Sequence, residues 1–503
     1  MNAEIGLIQL QDICTKVCSG GTPSTRNKDF YIDGVVPWVK TKEVNNNKIV
    51  DAETYITDEA LAKSSAKLIP ENSVIVAMYG NGDTAGRVAI NKIPVATNQA
   101  CCNLIVDPEK ADYRFVFYYL RTQYKKLVDL KNGGAQQNLN AGMLKEYPFP
   151  DFSLDKQIEI ADVLESFDDK IELNRQTNQT LEHMAQAIFK SWFVDFEPTC
   201  VKAQARADIA KGIMPVSDGF LKNDSLTLSK GLQTENTKQY LPKNFTQVDA
   251  DQLVERAAMA AISGKALSVL ENLSPETLEQ LKTTAAFFPE TLVDSELGEI
   301  PEGWEIKRIR DLGKVLTGKT PPKKIENAYS DAGVPFVTPT DIDDSMFVTN
   351  TNRFLTEDGE ASVKKTRIKA GTICVTCIGS QMGKAIISPK EAFTNQQINS
   401  ILPNENYYRN YLLLNLRNRR DEIFLIGSSG STMPIINKST FEKLEVLIPS
   451  ASLLSQFDCF VTSIMNKILE GDLQSKTLSS IRDLLLSKLL SGELVEPELP
   501  GGI

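Results

Sequence analysis

Two features of this 503-residue chain have residue types that catalysis or metal binding could use. His183 is the one histidine, and it falls inside a long apolar-periodic segment, where a surface or interface residue is expected rather than a catalyst. Cys374 and Cys377 have the spacing of a redox or zinc pair, but no second pair and no nearby histidine completes four ligands. Both cysteines stand in a run that is typical of a β-strand. We therefore predict that these residues carry neither catalysis nor a metal.

A glycine-rich stretch, Gly379-Ser-Gln-Met-Gly383-Lys384, superficially resembles a phosphate loop. Such a loop needs four residues between the glycines and Ser or Thr after the lysine. Here three residues separate the glycines and Ala385 follows, while a matching stretch of the first half holds Gly86-Arg87. The shared feature favours a basic side chain at a turn tip, aimed at a phosphate or a base edge. Methyltransferase, dinucleotide-fold and helicase motifs are also missing, so the sequence predicts a protein without catalytic activity.

The chain is a tandem duplication. Five short stretches of the first half recur in the second half in the same order, and the offset between matched positions drifts by only two residues. Self-similarity of this kind decides the architecture. The matched stretches are 12–13 with 311–312, 19–23 with 317–321, 34–39 with 333–337, 69–76 with 368–375, and 97–99 with 394–396.

Each half has the same internal order of patterns. Short runs of Val, Ile and aromatic residues alternate with Gly, Pro and Asn, which predicts a strand-rich domain. A short helical stretch follows, around 113–130 and again around 407–423. Each half then closes with apolar residues at steps of three or four, which predicts one face of a helix of about 40 residues and about 60 Å.

The apolar stripe of each long helix is narrow, as in a coiled coil, and cannot be buried by one helix alone. We expect the two helices to pack against each other, with Asn174 and Asn178 setting the register; the alternative is that each helix packs on its own domain. The predicted residues of the helix or partner interface are Ile158, Leu164, Ile171, Leu181, Ile188 and Trp192 in the first helix, and Phe457, Ile464, Ile468, Leu478 and Leu485 in the second.

Together these patterns predict an α/β (α+β) chain of two strand-rich domains, separated and followed by long helices. The stretch between the first helix and the second domain has no counterpart after the second helix. The predicted segments are domain 1 at 1–152, a long helix at 153–198, a polar linker with a helical segment at 199–296, domain 2 at 297–450, a second long helix at 451–492 and a tail at 493–503.

Composition restricts the setting. The net charge of −10 is unfavourable for phosphate contacts, although net charge does not report its own distribution, and partner subunits could supply part of the basic surface. The eight cysteines lack framework spacing and are expected to be reduced thiols. No apolar run reaches the roughly 18 to 20 residues that span a bilayer, and the N-terminus lacks a signal-peptide pattern. We predict a cytoplasmic protein without a membrane partner.

The order of domain, long helix, domain, long helix resembles the specificity (S) subunit of type I restriction–modification systems. The resemblance covers most of the chain. It is carried by residues 157–174 and 181–196, by the phrase Leu297-Gly-Glu-Ile-Pro-Glu-Gly-Trp304, and by the openings Ser-Gly-Gly-Thr-Pro at 19–23 and Thr-Gly-Lys-Thr-Pro at 317–321.

This resemblance implies that each strand-rich unit is a target-recognition domain that reads one half of a bipartite, asymmetric DNA site. The two helices would form an antiparallel coiled coil that fixes the distance between the halves. Two modification (methyltransferase) subunits would methylate adenine, and restriction (motor and nuclease) subunits would complete the cleaving, anti-phage complex. No cofactor is then expected on this chain; S-adenosylmethionine, ATP and Mg are expected on the partner subunits.

Turn residues are the candidates for contact with double-stranded DNA, because Asn and Gln pair with adenine edges, and Arg and Lys with guanine or phosphate. The Thr-Asn-Gln repeat at 97–99 and 394–396 is expected instead to be a structural turn, since the two domains should read different half-sites. The candidates are Lys40, Lys42, Tyr79, Asn81, Arg87, Gln136, Gln137 and Asn138 in domain 1, and Lys319, Lys323, Thr338, Ser380, Gln381, Lys384, Ser428 and Thr432 in domain 2.

Two other functions compete with this interpretation. One is a duplicated protein-binding scaffold without DNA readout, which the acidic net charge would suit. The other is an enzyme in its own right, such as a fused methyltransferase-nuclease, which the missing catalytic motifs disfavour. A steep loss of duplex affinity with salt would exclude the scaffold, because phosphate contacts produce that dependence.

Overall fold

A computed structural model describes residues 6–80, 84–132, 139–215, 240–242, 244–428 and 434–491. Its contacts divide the chain into two compact units. Unit 1 comprises Met1–Leu173 and Gln474–Ile503, and unit 2 comprises Asn174–Leu473. Within the described ranges, no helix combines the length and the apolar character needed to cross a bilayer.

Domain 1, in unit 1, is made of short strands with few and short helices. The strands are β1 (Leu7–Gln9), β2 (Cys14–Ser19), β3 (Val36–Val39), β4 (Asn47–Ile49), β5 (Tyr55–Ile56), β6 (Leu68–Ile69), β7 (Val74–Ala77), β8 (Val88–Asn91), β9 (Val95–Thr97), β10 (Cys101–Val106) and β11 (Pro148–Pro150). The helices are α1 (Asp58–Ala62), α2 (Tyr113–Thr122), α3 (Tyr124–Asn132) and α4 (Ala141–Lys145).

Two sheets form the frame of domain 1. Their strand orders are β2-β10-β7-β8-β4 and β5-β3-β9-β6, and β3 pairs with β9 in parallel. Helix α2 starts where the Asp112 side chain accepts hydrogen bonds from the backbone N–H groups of Arg114 and Phe115, as N-cap residues do. Its apolar face packs on the first sheet, so that Phe115 is buried with Val74, Val88 and Leu104 in one core.

The first long helix is α5 (Leu154–Phe193), where the sequence predicted a helix at 153–198. Three further helices and a short fourth follow in the region predicted as a linker with a helical segment: α6 (Glu197–Ala210), α7 (Gln247–Ser263), α8 (Leu267–Leu270) and α9 (Pro275–Ala286). Ser274 caps α9, its side chain accepting from the backbone N–H of Thr277. The sequence did not indicate that these helices join a core, yet Met259, Leu281 and Phe288 are buried with Trp192 of α5.

Domain 2, in unit 2, repeats the frame of domain 1. Its sheets run β15-β22-β19-β20 and β16-β18-β17-β21, with β17 parallel to β21. The strands are β12 (Leu292–Ser295), β13 (Gly298–Pro301), β14 (Glu305–Arg308), β15 (Gly313–Thr317), β16 (Tyr329–Ser330), β17 (Val334–Val337), β18 (Phe354–Leu355), β19 (Thr372–Thr376), β20 (Ala385–Ser388), β21 (Phe393–Thr394), β22 (Ile398–Pro403) and β23 (Glu445–Ile448). The helices are α10 (Ile309–Leu312), α11 (Glu357–Val363), α12 (Tyr407–Asn418), α13 (Arg420–Ser428), α14 (Lys438–Glu442) and the second long helix, α15 (Ala451–Ser491), where 451–492 was predicted.

The Thr-Asn-Gln repeat is a structural turn in both domains, as its recurrence indicated. In domain 1, the backbone N–H of Gly21 donates to the Thr97 carbonyl (2.8 Å), and a Cβ on Gly20 would lie 2.2 Å from the same oxygen. In domain 2, the N–H of Lys319 donates to the Thr394 carbonyl (2.8 Å), and a Cβ on Gly318 would meet Thr394 at 2.2 Å. The glycine of each opening is therefore required by the close approach of this turn.

Within unit 2, α5 and α15 run antiparallel. Trp192 of α5 lies against Phe457 of α15, with ring centroids 5.7 Å apart, whereas Asn178, four turns earlier, donates to the carbonyl of Ile468 (3.0 Å). Phe457 also packs on Tyr411 of domain 2. The two arrangements that the sequence left open therefore occur together, because the start of α15 touches both the other helix and its own domain.

Asn178 lies at a close approach of the two helices. Its amide also donates to the Asp472 carboxylate (2.7 Å), and a Cβ on Gly471 would lie 2.6 Å from its Oδ1 atom. Burying an unpaired amide is costly, so this hydrogen bond holds one register of the two helices. That is the role expected of a seam asparagine.

Most predicted interface residues of the helices are shielded from solvent. Ile158 is an exception, because its side chain is 36% exposed and Gln157 and Ile160 take the buried positions instead. Hydrogen bonds of Gln157 explain this difference. Its side chain accepts from the Asp112 backbone N–H (3.1 Å) and donates to the Phe152 carbonyl (2.9 Å), so Gln157 and not Ile158 faces domain 1. Leu164, Trp192, Phe457 and Ile468 are buried, while Ile171, Leu181, Ile188, Ile464, Leu478 and Leu485 are half-buried.

Candidate nucleic-acid interface

In each domain the turn between two core strands meets a second turn, and the basic residue after glycine joins them. In domain 1, the Arg87 guanidinium at the start of β8 donates to the Asn45 side chain. In domain 2, the Lys384 ammonium before β20 lies 3.2 Å from the Asp344 carboxylate. The duplication thus places one cation at the same point of each domain, against the Asn45 amide in domain 1 and against the Asp344 carboxylate in domain 2.

The second turn of each pair is shaped by its own backbone contacts. The Glu43 carboxylate accepts from the Lys40 backbone N–H (2.9 Å), and Asp341 accepts in the same way from Thr338 (2.8 Å). The Thr338 hydroxyl also donates to Asp341 (2.7 Å). Thr338, a predicted DNA contact, therefore uses its side chain inside the turn.

Lys40 and Lys42 differ in how much of their charge is available. The Lys40 ammonium donates to the Thr54 hydroxyl (2.8 Å) and lies 5.3 Å from the centre of the Trp38 ring. Lys42 pairs with Glu53 at the surface, and the side chains are 61% and 57% exposed. Water and salt screen an exposed pair of this kind, so Lys42 can exchange its partner for a phosphate.

The remaining predicted contacts lie on separate turns. Tyr79 is 37% exposed after β7, and Lys319, Lys323, Ser380 and Gln381 are exposed in domain 2. The Ser428 hydroxyl donates to the Phe424 carbonyl in the last turn of α13 (2.8 Å), so its hydrogen is used locally. Asn81, Gln136, Gln137, Asn138 and Thr432 lie outside the described residues.

The cysteine pair lies in the sheet, as the sequence indicated. Cys374 lies within β19 and Cys377 directly after it, and burial raises the pKa of each thiol to about 12. His183 is exposed on α5. Over the ranges that the structure describes, no three His, Cys, Asp or Glu side chains are placed to share a metal ion. The turns of both domains present guanidinium, ammonium, amide and hydroxyl groups, which suit hydrogen bonding to phosphates and base edges, beside exposed carboxylates such as Glu53 and Asp344.

The duplicated frame is also recognised by comparison with known families. The family model described as the type I restriction modification DNA specificity domain matches residues 3–183 and 301–471. The two matches together cover well over half of the chain and fall once on each copy. The chain belongs to the type I DNA specificity family.

Relatives in the specificity family match over nearly the full length. The HindI specificity subunit of Haemophilus influenzae is 33% identical over 493 residues, covering 93% of this chain and 96% of the relative. The MjaIX specificity subunit of Methanocaldococcus jannaschii is 26% identical, covering 96% and 92%. Among solved structures, the S subunit of a type I restriction–modification system from M. genitalium is 15% identical, covers 97% of each chain and has a TM-score of 0.49.

Sequence reasoning missed the residues that attach each specificity domain to the long helices. Arg121 of α2 and Arg417 of α12 occupy matching positions, each preceded by leucine. Arg121 lies 3.7 Å from Asp168 and Asp483, and Arg417 lies 3.7 Å from Glu182. The repeated Leu-Arg pair was the available signal, but it lay in the helical stretch rather than in the strand-rich part where matches were sought.

Proposed function

We propose that this chain is the non-catalytic specificity subunit of a type I restriction–modification complex. Each domain reads one half of a bipartite, asymmetric site in double-stranded DNA through its turns. The protein then directs adenine methylation, and restriction, by partner subunits.

The observation that carries this proposal is the double family match on a duplicated domain–helix unit, together with full-length similarity to a named specificity subunit. The physical division of labour agrees with it. Phosphate contacts position a protein on the duplex, whereas base-edge contacts specify sequence. The turns of both domains supply both kinds of donor, with Arg87 and Lys384 at equivalent points.

The partners follow from the same proposal. Two modification subunits would bind S-adenosylmethionine and carry the methyl transfer, for which a target adenine must leave the base stack. Restriction subunits would bind ATP and Mg. A cytoplasmic location is proposed with it, and the eight free cysteines support that location.

Methylome sequencing tests the proposal directly. Cells that contain this chain and the modification subunit of the same system are compared with cells that lack only this chain. The expected result is the loss of one bipartite methyladenine motif, which also gives the target site. An unchanged methylome, with both proteins shown to be present, would contradict the proposal and favour the scaffold.

A matched pair of variants assigns the half-sites. Arg87→Ala is expected to weaken or relax recognition in one half of the motif only, and Lys384→Ala in the other half only, because the two side chains hold equivalent positions in separate domains. The measurement is the fraction of genomic sites methylated, sorted by half-site sequence. Equal losses in both halves from either variant would argue against one domain for each half.

A further inference from the structure

Domain 2 has two surface segments whose counterparts in domain 1 are nearly uncharged. Residues 319–324 read Lys-Thr-Pro-Pro-Lys-Lys where domain 1 has Gly-Thr-Pro-Ser-Thr-Arg at 21–26. Residues 364–369 read Lys-Lys-Thr-Arg-Ile-Lys where domain 1 has Ser-Ala-Lys-Leu-Ile-Pro at 65–70. The two segments of domain 2 hold seven Lys and Arg residues against two in domain 1, and none of the four segments contains Asp or Glu.

The fold brings the two basic segments together. The backbone N–H of Lys319 donates to the Thr394 carbonyl at the end of β21 (2.8 Å). The N–H of Ile368 donates to the Ala392 carbonyl just before that strand (2.9 Å). The segments are therefore anchored two residues apart on one strand. In domain 1 the same two segments touch, since a Cβ on Gly21 would lie 2.2 Å from the Ser65 backbone.

The lysines of these segments are exposed, and their charge is not used inside the protein. In the described part of the chain, none of their six ammonium groups lies within ion-pair distance of a carboxylate, so none is an existing salt bridge. The nearby carboxylates of Glu360 and Glu391 are held by Arg367, at 3.5 and 3.0 Å, while its guanidinium lies 5.9 Å from the centre of the Phe393 ring. Arg367 is thus the ion-pair partner of both carboxylates, and the lysines are left outside these pairs. We name these six residues the lysine patch: Lys319, Lys323, Lys324, Lys364, Lys365 and Lys369.

We propose that the lysine patch binds the sugar–phosphate backbone of duplex DNA and makes domain 2 the main source of sequence-independent affinity. The proposal rests on the proposed function, of which it names one binding surface. Lysine is a compact, mobile point charge that suits phosphate contact and carries no base code. The chain as a whole has a net charge of −10, so a cluster of six unpaired lysines is the kind of local positive potential that binding requires.

The proposal predicts a specific salt dependence. Each phosphate neutralised adds roughly 0.9 to the slope of log affinity against log salt, through counterion release. The test protein is the full chain assembled with its modification subunit, and the probe is a fluorescent duplex of about two helical turns on each side of the target. The patch variant is Lys324→Gln, Lys364→Gln and Lys365→Gln. The control removes three exposed lysines from the region of α6 to α9, of which Lys282 alone lies near a carboxylate, Glu255 at 3.8 Å: Lys211→Gln, Lys265→Gln and Lys282→Gln.

The expected result is that the patch variant lowers the salt slope by about two to three, with an equal fold-loss on target and scrambled duplexes, while the control keeps the wild-type slope. The triple Lys→Arg variant should restore the slope, since charge and not shape is required. All variants should share one thermal unfolding midpoint, because the side chains are exposed.

Three outcomes would overturn the proposal. An unchanged slope in the patch variant means that the lysines do not touch DNA. Normal DNA binding with loss of the modification subunit during purification means that the patch meets an acidic protein surface instead. Equal affinity of the wild type for target and scrambled duplexes would contradict the proposed function itself. This outcome differs from the other two because it is measured without the variants.

Discussion

The two domains share a frame, but the contacts that join them to the long helices differ in how far they are exposed to solvent. In unit 1, Lys48 lies 2.8 Å from Glu165 and 2.7 Å from Asp169 of α5, at half-exposed positions. In unit 2, the residue matching Lys48 is Phe347, which is buried, and the backbone N–H of the buried Met346 before it donates to the Glu182 carboxylate (3.2 Å). The first junction is a partly exposed network of ion pairs, whereas the second buries one ion pair, Arg417 with Glu182, beside apolar side chains.

The pKa values of the carboxylates at the two junctions are shifted in opposite directions. Burial works to raise the pKa of Glu165, but hydrogen bonds from Lys48 and Arg114 outweigh it and hold that pKa below its usual value. Burial raises the pKa of Glu182 to about 7, even though Arg417 and the Met346 N–H favour its charged form. The comparison shows that a duplicated frame does not fix the electrostatics of its attachments, because the strand that carries Lys48 in domain 1 carries buried apolar residues in domain 2.

The largest expected difference comes from the paired arginines. The Arg417 guanidinium donates to the carbonyls of Asp344 (2.6 Å), Ser345 (2.8 Å) and Ala385 (3.1 Å). Arg417→Met removes these hydrogen bonds and the cation beside Glu182, and should cost about 3 to 5 kcal/mol. Arg121→Met should cost only about 1 kcal/mol, since Asp168 keeps Arg482 and Tyr118. Urea unfolding of each variant measures both, and equal losses would show that the junctions are alike after all.

A pH series tests the second difference. The folded pKa of Glu182 is about 7, above the unfolded value near 4.5, so the neutral carboxyl is the favoured form in the fold. Its contribution to stability is full below about pH 4.5 and is lost as the pH rises through 7. Glu182→Gln should therefore stabilise unit 2 by about 2 kcal/mol at pH 8 and change little at pH 5.

Glu165→Gln is the matched control for that series. Because the folded pKa of Glu165 lies below its usual value, its contribution is present above the unfolded pKa and is lost as the pH falls. This variant should lose stability at pH 8 and approach the wild type in acid. Thermal midpoints recorded from pH 4.5 to 8 should diverge in opposite senses for the two variants; parallel curves would contradict the assignment.

The smallest expected effect is the salt response of Lys48. Its side chain is 30% exposed, so Lys48→Met should cost about 1 kcal/mol or less at low salt. Raising the salt concentration to 1 M should remove most of that difference, because the screening length falls to about 3 Å. The same salt change should leave the cost of Arg417→Met nearly unaltered, since those contacts are buried.

The architecture could be predicted from the sequence because it depends on repeated motifs and on the regular spacing of apolar residues. The openings at 19–23 and 317–321 pack against the Thr-Asn-Gln turn of their own domain. The opening and the turn both recur in the sequence because they form one contact in the fold. The long helices were predictable because their apolar residues keep one spacing over many turns.

The candidate site was less predictable, because exposure and partner choice are not periodic. Thr338 is a residue type that can contact a base, but its hydroxyl donates to Asp341 instead. Lys364, Lys365 and Lys369 read as an ordinary solvated run, and their meeting with Lys319 depends on a strand pairing that sequence spacing does not give. Ile158 was wrong as a buried seam residue because one glutamine, Gln157, used its amide to cap a neighbouring helix.

The discontinuity of unit 1 has a consequence for the order of folding. Asp168 of α5 finds its partner Arg482 of α15 across 314 residues of chain, and Leu486 is buried in the core of domain 1. During synthesis, unit 2 has all its residues once position 473 has emerged, whereas unit 1 waits for the last turns of α15. The domain that is made first is therefore completed last, because until then its core lacks the Leu486 side chain.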